Sequence, residues 1–370
     1  MDRTLHPLQA IGLRSDTAAT GVEAALIKTD GIDLFETGPF VSRPYSAELK
    51  AEIQSVLGEK GQLDVLHLQE VDAHVTQHHI EAVEALLALA DKNPMNIDVI
   101  GFPGHTVLHR PSQKLSRQIG NAETMLHRFG IPVVTRFSGG DLAAGGQGSP
   151  LFPSFYEAMT HDMKKPLAVL TIGGLSSLTA VGVNGELIAF DVGPGNILID
   201  TWMQERMGAE MDFDGLWAAK GTVDERLLKK LMAHPFLAKK PPKSMDRDEF
   251  NNLMADVEGS TIADGAATLT AFTAEALRAA VEQLPFSPEL FIVTGGGAQN
   301  PSIMKNLKQR LTGHLLTAQE AGWNAEALEA QGFAFLAARS YFELPISFPS
   351  TTGVPESAPG GTLLLPDTAR

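Results

Sequence analysis

Asp141-Leu-Ala-Ala-Gly-Gly-Gln-Gly-Ser-Pro150 sets one carboxylate beside a run of glycines, shortly after the apolar segment Ile131–Val134. A strand that delivers an acid to the mouth of a flexible loop presents a general base to a bound substrate. The plain alternative is an ordinary turn carrying a solvated Asp. Two more glycine clusters follow apolar runs: Asp191-Val-Gly-Pro-Gly-Asn196 after Leu187–Phe190, and Gly295-Gly-Gly-Ala-Gln-Asn300 after Leu290–Thr294. Glycines at strand ends permit positive φ and let backbone N–H groups approach a ligand, most often phosphate. Three such turns in this order predict a nucleotide cleft between two domains. Asp191, at a strand end, is placed to hold a magnesium ion through water, or else to form an Asx turn.

Other chemistries find no support in the spacing. There is no G-x-x-x-x-G-K-[ST] loop, no strand followed by G-x-G-x-x-G, and no H-E-x-x-H. His78 and His79 are adjacent, so on a helix they point two ways and make a poor zinc pair. Lys229-Lys230 and Lys239-Lys240 read as solvated faces.

The bulk composition narrows the field further. A chain of 370 residues with 44% hydrophobic and 20% charged residues fits a two-domain globular enzyme. A net charge of −15 argues against a nucleic-acid partner and requires any polyanion to be held by local features. The absence of cysteine excludes disulfides, thiolate nucleophiles and Cys-based metal sites. The N-terminus lacks a signal-like apolar core, and no run is long enough to span a bilayer, so the expectation is a cytoplasmic protein without membrane contact.

Strands are expected at 10–13 and 22–28 around a polar turn, and short strands at 98–101 and 106–109. Helices are expected at 46–60 and 64–90, the second with Leu66, Val71, Val75, Ile80, Val83, Leu86 and Leu87 on one face. From Pro150 a helical stretch leads to a second strand set: Leu167–Ile172, Leu178–Val183 with the hairpin turn Asn184-Gly185, and Leu187–Phe190. Leu290–Thr294 is a buried-strand run followed by a helix through Ile303, Leu307 and Leu311, while 236–244 reads as a loop. The recurrence of strand–turn–strand hints at two related halves. Residues 346–370 are rich in Pro, Gly, Ser and Thr and read as a surface tail.

These residues resemble a known family. Asp141…Gly145-Gly-Gln-Gly-Ser-Pro150 is similar to the signature of the anhydro-N-acetylmuramic acid kinases. So are Phe190-Asp-Val-Gly-Pro-Gly-Asn196 with Asp200, Pro241-Pro-Lys-Ser244, Gly295-Gly-Gly-Ala-Gln-Asn300 and Glu329-Ala-Gln-Gly-Phe-Ala334, in the family's order. The resemblance implies the α/β, two-domain actin-like, ribonuclease-H-like sugar-kinase fold of the actin and hexokinase superfamily. It implies domains at 1–165, with the 346–370 tail packing back, and at 166–345. It also implies ATP and Mg2+, a homodimer, and opening of 1,6-anhydro-N-acetylmuramic acid to its 6-phosphate in peptidoglycan recycling. By matching position Asp141 is the base, and Gln147 and Glu329 touch the sugar. Asp16, Thr17, Thr20, Gly21, Asp191, Gly193, Gly195, Asn196, Gly295, Gly296, Gly297 and Asn300 serve the nucleotide.

The chain departs from the family at several polar positions. The first phosphate loop, Gly-Thr-Ser-x-Asp-Gly in the family, is Asp16-Thr-Ala-Ala-Thr-Gly21 here. Family His-Gly-Gln is Pro103-Gly-His105, Asp-Phe-Arg is Arg136-Phe-Ser138, and Asn-Ile-Gly-Gly-Ile-Ala-Asn is Thr171-Ile-Gly-Gly-Leu-Ser-Ser177. Asp16 would repel a triphosphate unless a cation sits between them. Loss of an Arg fork would weaken bidentate recognition of a carboxylate. Two alternatives therefore stay open: a non-catalytic binding relative, and a kinase for another sugar.

Overall fold

The computed structural model describes residues 6–16, 18–33, 35–58, 64–246 and 248–366. The chain divides into two compact units, Met1–His161 with Glu326–Arg370, and Asp162–Ala325.

In the first unit β1 (Leu8–Ser15), β2 (Gly21–Thr29) and β3 (Phe35–Pro44) form an antiparallel meander. β4 (Val99–Gly101) lies parallel to β1. β5 (His105–Arg110) and β6 (Leu115–Ile119) make a hairpin whose His105 pairs in parallel with Ser15 of β1, and β7 (Val133–Thr135) lies parallel to β4. The spine of the sheet is thus β3-β2-β1-β4-β7. The helix Val65–Leu89 starts where the Asp64 carboxylate accepts from Leu66 N and His67 N. It buries Val71, Val75, Ile80, Val83, Leu86 and Leu87 as its spacing predicts, but Leu66 is 73% exposed.

In the second unit β8 (Leu167–Ile172), β9 (Leu175–Val181) and β10 (Leu187–Pro194) form the meander. β11 (Leu290–Thr294) and β12 (His314–Thr317) continue it in parallel, giving β10-β9-β8-β11-β12. The two units therefore share one strand order with the second strand antiparallel, which is the ribonuclease-H-like arrangement. Its core includes the Ala-rich helix Ile262–Val281, buried along nearly its whole length.

The helix Leu328–Tyr341 belongs to the first unit, whereas the sequence expectation carried the second domain to residue 345. The reason is a close approach. A Cβ at Gly12 would stand 1.9 Å from Ala330 O and 2.3 Å from Ala334 N, and one at Gly101 2.3 Å from Phe333 O. These paired glycines in β1 and β4 let the helix backbone lie directly on the sheet. Gly12→Ala is expected to cost about 3 kcal/mol, the upper end for overpacking, because its neighbours are backbone atoms that cannot rotate away. Urea unfolding of the variant measures this, and an unchanged midpoint would contradict it.

The final segment is no surface tail. Ile346, Thr351, Thr352 and Val354 are buried. β13 (Pro345–Ser347) pairs with β14 (Ala358–Pro359), and β15 (Thr362–Leu364) adds antiparallel to β7. Its Thr- and Pro-rich composition misled because backbone pairing and hydroxyl hydrogen bonds, rather than apolar bulk, fix it. No helix among the described residues is long and apolar enough to cross a membrane.

Candidate active site

Asp141 stands on a helix, Phe137–Ala143, and not at the end of a strand. β7 runs into that helix through Arg136, whose φ of 56° is the left-handed conformation that makes the sharp corner. Gly140 sits within the helix because a Cβ there would come 2.8 Å from Gly361 N. The glycines thus admit close packing, where the sequence suggested a loop too loose to pack.

The Asp141 side chain is fully buried, which corrects the expectation of an acid open at a loop mouth. Its Oδ2 accepts from Gly148 N at 2.6 Å, and its Oδ1 accepts from the Thr352 hydroxyl at 2.5 Å. Gly146 covers it: a Cβ there would meet Oδ2 at 2.2 Å. A carboxylate has about four lone-pair sites, and these two donors leave capacity on both oxygens. Gln147 sits in the same loop, its N–H donating to Thr352 O at 3.0 Å.

The turn between β1 and β2 carries the first loop, of which Thr17 lies outside the described residues. Asp16 Oδ1 accepts from Thr20 N at 2.8 Å, and Asp16 O accepts from Ala19 N at 3.0 Å, so the carboxylate closes its own turn. Gly21 opens β2 hard against β3, where a Cβ would stand 2.3 Å from Arg43 O.

Glu329, in the first turn of the helix Leu328–Tyr341, accepts from Arg14 Nε at 2.6 Å. Arg14 Nη1 reaches both oxygens of Glu23 at 3.0 Å, since the β1–β2 register sets Arg14 opposite Glu23. Burial works against the Arg14 charge, but Glu329 and Glu23 hold its pKa above the ordinary value. Burial pushes Glu23 up to about 7, against the pull of Arg14 and with the help of Glu329. Sequence reading missed Arg14 and Glu23: Glu23 fell within the expected strand 22–28, but Arg14 was read as the start of the polar turn, whereas β1 runs on to Ser15.

In the second unit the remaining glycine turns converge. Gly195 N and Ile197 N donate to Gly174 O, and Asn196 N donates to Gly173 O, so these amides brace the β8–β9 turn. Thr273 Oγ1 donates to Gly195 O at 2.8 Å. A Cβ at Gly195 would meet Gly173 O at 2.2 Å, and one at Gly297 would meet Ile172 Cγ2 at 2.3 Å and Asn196 Oδ1 at 3.3 Å. Gly295, at φ 83°, turns the chain past Ile172. By contrast, a Cβ at Gly174 would meet nothing within 4 Å, and at Gly296 only Asn196 Nδ2 at 3.6 Å. The open backbone is therefore at Gly174 and Gly296. Asn300 caps the helix Pro301–Arg310, its Oδ1 accepting from Ser302 N and Ile303 N.

Asp191 lies inside β10, just before the irregular register that leads to Gly193, which packs near Leu237 and Ala276. Its Oδ2 accepts from the Ser244 hydroxyl at 2.9 Å and from Met245 N at 3.0 Å, tying the Pro241–Ser244 segment to the strand. Burial raises its pKa to about 6 despite those bonds. Buried Lys243 beside it donates to Phe236 O and Leu237 O and is lowered to about 8, first by burial. Among the described residues no three acidic or His side chains gather as a metal cage.

Asp200, one turn past Asn196 in the helix Ile197–Met207, is raised to about 7 by burial and then by Asp212. A carboxyl raised in the folded state binds more protons there than in the unfolded chain, so stability falls as pH climbs from about 4 to about 7. Allowing for partial exposure, Asp200→Asn is expected to stabilise the protein by about 1–2 kcal/mol at pH 8 and hardly at all at pH 4. Unfolding curves at the two pH values test this; the same gain at both would contradict it.

Both units thus carry the ribonuclease-H-like strand order, with glycine turns at strand ends. The family model for anhydro-N-acetylmuramic acid kinase matches residues 8–365. The anhydro-N-acetylmuramic acid kinase of Rhodopseudomonas palustris is 43% identical over 97% of this chain and 100% of its own. That of Methylobacterium nodulans is 42% identical with the same coverage. Among solved structures, a ROK family glucokinase from Streptomyces griseus in complex with glucose and AMPPNP aligns over 90% of this chain and 99% of its own. It has 15% identity and a TM-score of 0.41. The chain belongs to the anhydro-N-acetylmuramic acid kinase family.

Proposed function

We propose that this protein is an ATP-dependent kinase that opens 1,6-anhydro-N-acetylmuramic acid and yields the 6-phosphate. The observation that carries this reading is the full-length match to relatives bearing that name. In the reaction a water oxygen bonds to C1 and the C1–O6 bond breaks. O6 bonds to the γ-phosphorus as the bond to ADP breaks. Asp141 takes one proton of the water, and the other stays on the new C1 hydroxyl. Because Asp141 is covered, water reaches it when residues 145–148 lift, a movement their glycines permit. Gln147 and Glu329 hold the sugar, the latter set by Arg14.

The nucleotide's phosphates are held by the open amides at Gly174 and Gly296 with Gly297, on a frame fixed by Gly193, Gly195, Asn196 and Gly295. Asn300 supports the same frame through the helix it caps. Magnesium bound with the nucleotide would neutralise phosphate charge, and Asp191, with Oδ2 already accepting from Ser244 and Met245, would help hold it at most through a bound water. By the family resemblance Asp16, Thr17, Thr20 and Gly21 of the first loop also serve the nucleotide. A carboxylate about 4 Å from a phosphate charge costs about 4 kcal/mol at an effective dielectric near 20, and exposure and salt reduce this to a fraction. Asp16→Asn keeps an acceptor for Thr20 N–H and is expected to lower the KM for ATP roughly three- to tenfold. A raised KM would mean that Asp16 serves the cation instead.

Peptidoglycan recycling in the cytoplasm and a homodimeric state complete the reading, both supported by the family resemblance. A second reading, the same chemistry on another anhydro sugar, is favoured by Arg136-Phe-Ser138 in place of the family's Asp-Phe-Arg. ADP release by the purified protein with ATP, magnesium and either 1,6-anhydro-N-acetylmuramic acid or its analogue lacking the lactyl group separates the two. Release that depends on the lactyl sugar supports the first reading; no sugar-dependent release contradicts both.

A further inference from the structure

The end of the chain reaches back to the Asp141 carboxylate. Thr352 is fully buried, and its hydroxyl donates to Asp141 Oδ1 at 2.5 Å. The backbone around it is closed on itself: Thr351 N and Thr352 N both donate to Phe348 O at 3.1 Å. On one side β13 pairs with β14; on the other, Ser340 Oγ donates to Gly360 O at 2.6 Å, and β15 pairs with β7. β7 is the strand that feeds the helix bearing Asp141. Thr352 is thus fastened to the same frame as Asp141 through Phe348, β13, β14 and β15, and meets the glycine loop at its carbonyl, which accepts from Gln147 N at 3.0 Å.

The second donor to Asp141 is of a different kind. Gly148 N, on Oδ2, belongs to the loop 145–148 itself. Gly146 overlies that same oxygen at the shortest approach, 2.2 Å from a Cβ position. Lifting the loop would take Gly148 and Gly146 from Oδ2 and Gln147 N–H from Thr352 O, whereas the Thr352 hydroxyl bond to Oδ1 uses no loop atom. The two carboxylate oxygens therefore have different tasks.

We propose that Thr352 is a positioning residue: its hydroxyl holds Asp141 by Oδ1, so that Oδ2 is the oxygen that takes the proton from water. This rests on the reading of Asp141 as the base. A buried carboxylate held at one oxygen keeps its orientation when the loop opens. Without that bond it is free to rotate about its side-chain torsions, and a displacement of about 1 Å at a reacting group costs roughly a hundredfold in rate.

Thr352→Val keeps the shape and removes the donor; Thr352→Ser keeps the donor. With ATP, magnesium and the anhydro sugar, Thr352→Val is expected to lower kcat about ten- to a hundredfold with the KM for ATP unchanged. Thr352→Ser should stay within about threefold of the wild type, because the hydroxyl is retained. In an Asp141→Asn background Thr352→Val should cost no further rate, since the two act as one unit. Wild-type kcat in Thr352→Val, or Thr352→Ser falling as far as Thr352→Val, would overturn the proposal. So would losses that multiply in the double variant. Melting temperatures read the contact independently of turnover. Thr352→Val should lower the melting temperature more in the wild-type background than in an Asp141→Ala background, where the hydroxyl has no carboxylate to meet, and equal shifts would again overturn the proposal. A wild type that never releases ADP with the sugar, yet shows this thermal coupling, would sink the kinase reading and keep the contact.

Discussion

Asp141→Asn is expected to give a folded protein that still binds ATP but turns over about a thousandfold more slowly, within the usual range for loss of a general base. The structure makes this substitution unusually clean. The amide can turn its oxygen toward Gly148 N–H and its NH2 toward Thr352, whose hydroxyl is able to accept. Neither buried partner is then left without a bond, so the fold is not the casualty. What is lost is the ability to accept a proton from water. Steady-state kinetics together with calorimetric titration of ATP measure both halves. A variant retaining a tenth of the wild-type rate would remove Asp141 from the role of base.

Gly146→Ala is expected to abolish turnover nearly as completely, for a steric reason. The added methyl would fall 2.2 Å from Asp141 Oδ2 and 2.6 Å from its Cγ. Either the loop is held away or the carboxylate is driven off Thr352 and Gly148. Overpacking of this kind costs about 1–3 kcal/mol, and the misplaced acid costs at least roughly a hundredfold in rate. Gly174→Ala is the informative contrast, because a Cβ there meets nothing within 4 Å. It should leave stability unchanged and weaken ATP alone. Melting curves and kinetics of the pair test the assignment; a fully active Gly146→Ala would contradict it.

Much of the scaffold was legible because strand and turn signals were strong. The polar turn between β1 and β2, the Asn184-Gly185 hairpin and the apolar run Leu290–Thr294 all stand where their patterns put them. The helices Ile262–Val281 and Leu328–Tyr341 were not legible from periodicity: the first is buried nearly all round and the second lies against glycines, so neither shows a polar stripe to set off an apolar one. β3 escaped notice as a half-exposed strand carrying Gly38 and Pro39.

At the site, the motif picked out Asp141 but misjudged its setting. Asp141 was read at the end of a strand, yet the crossing of Gly360 and Gly361 close to Gly140 lets it sit in a helix. Thr352 was hidden for a related reason. Nothing in a Thr- and Pro-rich terminal segment announces a hydroxyl that meets a carboxylate 211 positions away in sequence. The Arg14–Glu23–Glu329 cluster likewise needs strand register and a returning helix to come together.

The chemistry itself is open to a single reading by isotope. When the wild-type enzyme converts ATP and 1,6-anhydro-N-acetylmuramic acid in water enriched with oxygen-18, mass spectrometry of the freshly formed product should find one heavy oxygen on the sugar at C1 and none in its phosphoryl group. Heavy oxygen in free inorganic phosphate, with the sugar left as it was, would show water attacking ATP instead and would contradict the account.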